Sequence, residues 1–242
     1  MTSIHTLPGE YFTSPSIFAQ ELRRIFWRDW VCVDRADRLT QAGDYLLADL
    51  GEQSVIVLRD GSGQYRALHN VCRHRGTRLC SETHGRLRER IQCPYHAWTY
   101  GLDGRLVGAP HMDTVQGFAR QDYPLRSAAL QSWEGFLFLN LGEGPQPLDD
   151  ALAPLQPSIS RFRLPGLRSA RRIEYDVQAN WKLVVLNYSE CLHCPVIHPQ
   201  LAKLSPYQSG ANEMTEGPIL GGYMDIAREG GSLTASGRTC GA

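Results

Sequence analysis

Two short stretches place a histidine just after a cysteine: Cys72-Arg73-His74 and, after 18 intervening residues, Cys93-Pro94-Tyr95-His96. Each offers one thiolate and one imidazole from what reads as a tight turn. Two such turns facing each other could grip a small inorganic centre. Two Cys and two His can make a tetrahedral zinc site. Zinc fingers, however, usually group Cys with Cys and His with His, whereas each turn here is mixed. The mixed pattern suits a two-iron cluster in which the cysteines hold one iron and the histidines the other. Neutral imidazoles in place of two thiolates leave such a cluster less negative. Its potential then rises to roughly −150 to +300 mV, against about −400 mV for all-Cys plant-type clusters. Zinc stays open as the alternative. Four unrelated loop residues are the bland reading, and the doubled pattern argues against it.

A second group lies downstream, in Asn187-Tyr188-Ser189-Glu190-Cys191-Leu192-His193-Cys194-Pro195-Val196-Ile197-His198. Glu190 and His193, three apart, would share a helix face. His193 and His198, five apart, would splay on an undistorted helix. Pro195 between them breaks or kinks the helix and lets the imidazoles converge. Two His and a carboxylate with open positions is the arrangement for mononuclear iron that activates O₂. Two polar histidines at a helix end are the bland reading. Asn187, at the start of the stretch, is carried as a further catalytic candidate. Cys191 and Cys194 read as spectator thiols, because the strand-to-helix setting of a redox CxxC is absent. Cys80 reads as a packing thiol and His84 as a surface residue.

The elements that must position these groups differ along the chain. Residues 14–30 read as a helix, with Ser14 as cap, Pro15 at the first turn and Phe18, Leu22, Ile25 and Phe26 recurring at helical spacing. From Val31 to Leu141 the pattern is short strands and turns: Tyr45–Leu50, Ser54–Arg59, Gln64–His69, a hairpin at Asp103-Gly104, and Phe136–Leu141. A Pro-rich stretch from Gly142 to Pro157 is the candidate boundary. Beyond it, Arg171–Val177 alternates like a strand. Asn180–His193 reads as a helix with a core-facing stripe of Trp181, Val184, Val185 and Tyr188.

Composition excludes several classes. With 25 basic and 25 acidic side chains, the formal charge of zero gives no electrostatic case for nucleic acid or an anionic membrane. The start, Met1-Thr2-Ser3-Ile4-His5, lacks a secretory pattern. The longest apolar run, Phe136–Leu139, is far too short to span a bilayer. A cytoplasmic location is expected, and seven cysteines are then free thiols or metal ligands.

Cys72–His74 and Cys93–His96 resemble the Rieske motif. The flanks Asn70-Val71, Arg75-Gly76 and Ala97-Trp98-Thr99-Tyr100 are similar to those of Rieske non-haem iron oxygenases. Asn180-Trp181-Lys182, followed by Glu190-x-x-His193-x-x-x-x-His198, matches the catalytic half of that family. The resemblance implies an α+β fold. Residues 1–30 would be an N-terminal helical segment and 31–141 an all-β Rieske domain. Residues 142–242 would be the first part of a helix-grip (START-like) catalytic domain. It implies a [2Fe–2S] cluster on Cys72, His74, Cys93 and His96, and Fe(II) on His193 and His198. Glu190 would bridge the two centres for electrons, across a subunit contact. O₂ would be co-substrate and NAD(P)H would act through a separate reductase or ferredoxin. A homotrimer and a small organic substrate are expected. Most aromatic-ring dioxygenases carry Asp at the bridge, and Glu190 is closer to the branch acting on choline, carnitine or betaines. The family's third iron ligand is an Asp far downstream, so the chain is expected to be a C-terminally truncated member. Aromatic acids, amines and alkaloids all stay open as substrates. The rival readings are an electron carrier with an incomplete iron site and a zinc-binding module.

Overall fold

The computed structural model describes residues 5–213, 221–227 and 232–234. The chain divides into two compact units, one of residues 15–173 and one of the residues before 15 together with those after 173.

In the larger unit the first helix (α1, Pro15–Glu21) widens into a π-helical turn over Leu22–Phe26. It stops four residues short of the expected end, where the Trp27 amide turns back to the Leu22 carbonyl and its indole donates to Leu50 O at 2.9 Å. The strands are β1 (Val31–Arg35), β2 (Asp44–Leu50), β3 (Gln53–Arg59), β4 (Tyr65–His69), β5 (His84–Arg86), β6 (Arg90–Gln92), β7 (Thr99–Gly101), β8 (Leu106–Gly108), β9 (Ala129–Trp133) and β10 (Phe136–Asn140). They form three sheets in the orders β1-β10-β9, β4-β3-β2-β5 and β6-β7-β8. The polar insert before the second Cys–His turn adds β5 to the edge of the central sheet, antiparallel to β2.

Strand β3 explains the layering. Val55, Ile56, Val57 and Leu58 are all fully buried, although a half-buried strand would alternate. Val55 and Val57 pack with Leu137 and Leu139 of β10. Ile56 and Leu58 face the other way, into the core that holds Cys72, Cys93, Trp98 and Tyr100. Each such side chain contributes about 1.5–3 kcal/mol through burial. The sheet carrying β3 is therefore the floor on which both Cys–His turns rest.

The smaller unit contains α2 (Trp181–Tyr188), α3 (Cys194–Ile197), α4 (Pro199–Leu204) and a hairpin of β11 (Ala211–Glu213) and β12 (Gly221–Tyr223). Asn180 caps α2, its side-chain oxygen accepting from the Lys182 amide at 3.1 Å. Two expectations are corrected here. Residues 171–177 form no strand: among the described residues no segment pairs with them, and Ile173, Tyr175 and Val177 are exposed. A strand needs a neighbour for its backbone groups, whatever its side-chain alternation. Helix α2 also ends at Tyr188, not His193, and of its expected core stripe Trp181 is half-buried while Val184, Val185 and Tyr188 are exposed, Tyr188 at 91%.

Candidate metal centres

The two Cys–His turns share one backbone design. In each, the amide four residues after the cysteine donates to the cysteine carbonyl: Gly76 to Cys72 at 3.0 Å, Ala97 to Cys93 at 3.1 Å. In each, the cysteine amide donates to the carbonyl five residues on, Thr77 at 2.8 Å and Trp98 at 2.8 Å. The fourth residue is left-handed in both, with φ 74° at Gly76 and 56° at Ala97. Glycine takes that conformation freely, whereas alanine needs its surroundings to hold it there.

The thiols point inward and the imidazoles outward. Cys72 and Cys93 are buried, while His74 and His96 are half-exposed, their rings 4.8 Å apart and nearly perpendicular. His74 lies flat against buried Trp98, with centroids 4.9 Å apart and planes 8° from parallel. Trp98 is held edge-on by Phe118 and Tyr123. Tyr95 stacks at a tilt on His96 at 3.7 Å. Burial and then the neighbouring His96 and Arg75 hold the His74 pKa down, which keeps its ring in the neutral, ligating form. Burial raises the Cys72 pKa, and nearby Cys93 adds to this, against an opposing hydrogen bond from Tyr100. Bound cations would reverse that preference, since a coordinated thiol is deprotonated.

Asn70 braces the first turn from below. It is buried, and its side-chain oxygen accepts from the amides of Leu79 (3.0 Å) and Cys80 (2.8 Å). Its NH₂ donates to Cys80 O (2.8 Å) and Ser54 Oγ (3.2 Å). Cys80 is buried with its thiol pushed up to about 11 by burial, as suits a packing residue, and His84 is exposed.

These residues fit a two-iron, two-sulfur centre. The donor set is two buried sulfurs and two imidazoles, presented by matched turns. Among the described residues, no three His, Cys, Asp or Glu side chains converge as one ion would require. A two-iron centre takes its protein ligands in pairs.

In the smaller unit the chain turns between α2 and α3. His193 precedes α3 and His198 follows it, with Pro195 in the first turn. The break thus falls before Pro195, not at it. The two imidazole centroids lie 5.3 Å apart at 73°. Glu190 Oε1 is 2.7 Å from His193 Nδ1, and its other oxygen accepts from the Leu192 amide. The hydrogen bond to His193 comes first among the causes that lower the Glu190 pKa. A carboxylate on Nδ1–H fixes the tautomer and leaves Nε2 for a metal. Asn187 is exposed in the last turn of α2 and, among the described residues, has no hydrogen bond to Glu190, His193 or His198. Asp225 is occupied through its backbone with Ser205 and Ser209. No described carboxylate joins the histidine pair as a third metal donor. Cys191 and Cys194, expected as separate thiols, are joined in a disulfide with Cα atoms 5.0 Å apart.

Sequence reasoning noted Asn70, Trp98 and Tyr100 only as flanks. Their roles follow from burial, which the sequence signals weakly through polar and aromatic types beside the ligands.

The donor types at the two sites suit an iron–sulfur domain followed by a segment with a metal-binding histidine pair. The Rieske [2Fe-2S] domain family matches residues 29–119, and the ring hydroxylating alpha subunit (catalytic domain) family matches residues 164–238. The chain belongs to the Rieske non-haem iron oxygenases, whose cofactors are a [2Fe–2S] cluster and a mononuclear iron. It is similar to the glycine betaine monooxygenase oxygenase subunit of Chromohalobacter salexigens, 39% identical over 197 residues, which cover 81% of this chain and 44% of that one. It also resembles the carnitine monooxygenase oxygenase subunit of Acinetobacter baumannii, 34% identical over 81% of this chain and 53% of the relative. A solved quaternary ammonium Rieske monooxygenase in complex with an inhibitor superposes with a TM-score of 0.84 at 31% identity, covering 91% of this chain and 62% of that one. The chain spans about half the length of the curated relatives it matches. Among the described residues no helix is long and apolar enough to cross a membrane.

Proposed function

We propose that the chain serves in the oxygenase component of a Rieske monooxygenase acting on a quaternary amine. The observation that carries this is the Glu190–His193–His198 arrangement downstream of the paired Cys–His turns. A pure electron carrier needs no such group. The relatives are named for glycine betaine and carnitine, so catabolism of aromatic compounds is not proposed.

When bound, the cluster supplies electrons singly and the mononuclear iron activates O₂ for hydroxylation or N-demethylation. Cys72 and Cys93 would hold one iron of the cluster and His74 and His96 the other, with the half-exposed imidazoles facing the electron donor. His193 and His198 would hold the mononuclear iron through the nitrogens left free. Glu190 orients His193 and, in this reading, links it to the cluster of a neighbouring subunit in a homotrimer. Asn187, in the last turn of α2, is a further candidate. Residues 31–141 form the cluster domain in this scheme, and 142–242 the first part of the catalytic domain. Electrons come from NAD(P)H through a separate reductase or ferredoxin, in the cytoplasm.

The alternative is a Rieske electron carrier, favoured by the lack, among the described residues, of a carboxylate as third donor to the histidine pair. Metal and acid-labile sulfide analysis of anaerobically purified protein, with EPR of the reduced form, separates the two. Two sulfides and more than two irons per chain support the oxygenase. Two irons with two sulfides support the carrier. No sulfide overturns both.

A further inference from the structure

The disulfide between Cys191 and Cys194 brackets His193. The Cys194 amide donates to Cys191 O at 3.0 Å, so the turn is already folded to bring the sulfurs together. The His193 carbonyl accepts from the amides of Val196 (3.0 Å) and Ile197 (2.9 Å), which ties the same turn to α3 and hence to His198. Opening the disulfide removes the one covalent tie across His193 and leaves its presentation to these hydrogen bonds alone.

We infer that Cys191 and Cys194 are a reversible dithiol–disulfide pair that sets how His193 is presented to metal. This rests on the reading of His193 and His198 as a metal pair. The two sulfurs are not equivalent. Cys191 is half-exposed and Cys194 is 2% exposed, so Cys191 is the entry point and Cys194 resolves. The oxidant is a small disulfide. The Cys191 thiolate attacks one of its sulfurs, its S–S bond breaks, and one small thiolate leaves. The Cys194 thiolate then attacks the Cys191 sulfur of the mixed disulfide and the second small thiolate leaves. Two electrons pass from the protein pair to the small disulfide, and the two protons end on the released thiols. A dithiol reductant runs the sequence backward. In the closed state the imidazoles are held together before any metal arrives, so less order is lost on binding.

The test uses cluster-loaded protein equilibrated anaerobically with mixtures of reduced and oxidised glutathione. Thiol alkylation and mass spectrometry of the peptide carrying Cys191 and Cys194 read the bond, and equilibrium dialysis against Co²⁺ reads the metal pair, with a His193→Ala/His198→Ala variant subtracting other sites. A two-hydrogen mass loss at the oxidising end, undone at the reducing end, is expected. Co²⁺ should bind at least tenfold more tightly to the oxidised form. The Cys191→Ser/Cys194→Ser variant should bind Co²⁺ as the reduced protein does at every ratio. A peptide that stays in the thiol form throughout overturns the inference, as does equal affinity in the two states. If neither state binds Co²⁺ while the mass shift persists, the metal-pair reading fails and the gating of His193 falls with it, leaving only a redox-active pair.

Discussion

Tyr100 Oη lies 3.3 Å from Cys72 Sγ and accepts the Arg73 amide at 3.0 Å. With the amide on one lone pair of that oxygen, the phenolic proton would donate to the sulfur once Cys72 is a ligating thiolate. Burial, followed by the contact with Cys72, pushes the Tyr100 pKa upward, so it stays a donor at every working pH. A hydrogen bond to a ligand sulfur stabilises the reduced, more negative cluster more than the oxidised one. Removing it should forfeit about 0.5–1.5 kcal/mol, or roughly 20–60 mV for one electron. Tyr100→Phe is expected to lower the midpoint potential by that amount in an EPR-monitored redox titration, with the cluster retained. An unchanged or higher potential would show that the hydroxyl does not reach the sulfur.

Asn70 uses both ends of its amide inside the core. Asn70→Leu would leave the Leu79 and Cys80 amides without partners, at about 1–3 kcal/mol for a buried unmade bond, and the Cys80 carbonyl with Arg78 Nε at 3.1 Å. The variant should unfold at lower denaturant and lose its red-brown colour at the same midpoint. Colour retained well past unfolding of the rest would disconnect this brace from the first turn.

Asp60 gives a pH prediction. Its buried carboxylate accepts from Ser62 Oγ and N, Gln64 N and Arg66 Nε. Burial opposes ionisation, but these donors outweigh it and lower the pKa from 3.8 to about 2. A depressed folded pKa stabilises above the unfolded value and loses that contribution as pH falls through the folded one. About 2 kcal/mol should therefore vanish between pH 4 and 2. Asp60→Asn should flatten the unfolding curve over that window, and an equally steep acid limb in the variant would assign the loss elsewhere.

Glu190→Gln should keep iron and sulfide unchanged, because the Gln carbonyl can still accept from His193 Nδ1–H. Reoxidation of the reduced cluster by O₂ with substrate present should slow by more than tenfold, since the charged carboxylate is gone. Wild-type turnover in this variant would remove Glu190 from the electron path.

The strands around the first site were legible in the sequence because their alternation and turn residues are local. Tyr45–Leu50 and Ser54–Arg59 are found within a residue of β2 and β3. The Cys–His turns were legible because ligand chemistry is written in residue type. Three features were not. Arg171–Val177 has the alternation of a strand, but among the described residues no strand pairs with it, and pairing is a property of two segments. The outward face of α2 has core-like spacing, but spacing cannot report what lies opposite. The joining of Cys191 to Cys194 depends on a turn that the sequence reading had made helix.

The two Cys–His turns hang from different sheets: one follows β4, the other joins β6 to β7. An inorganic centre held by both is thus a cross-link as well as an electron store, fastening one sheet to the next over the floor that β3 provides. Maturation of this half of the molecule then waits on the cell's supply of iron and sulfide. Chains made under iron starvation should be cleared by proteolysis instead of accumulating as an empty scaffold.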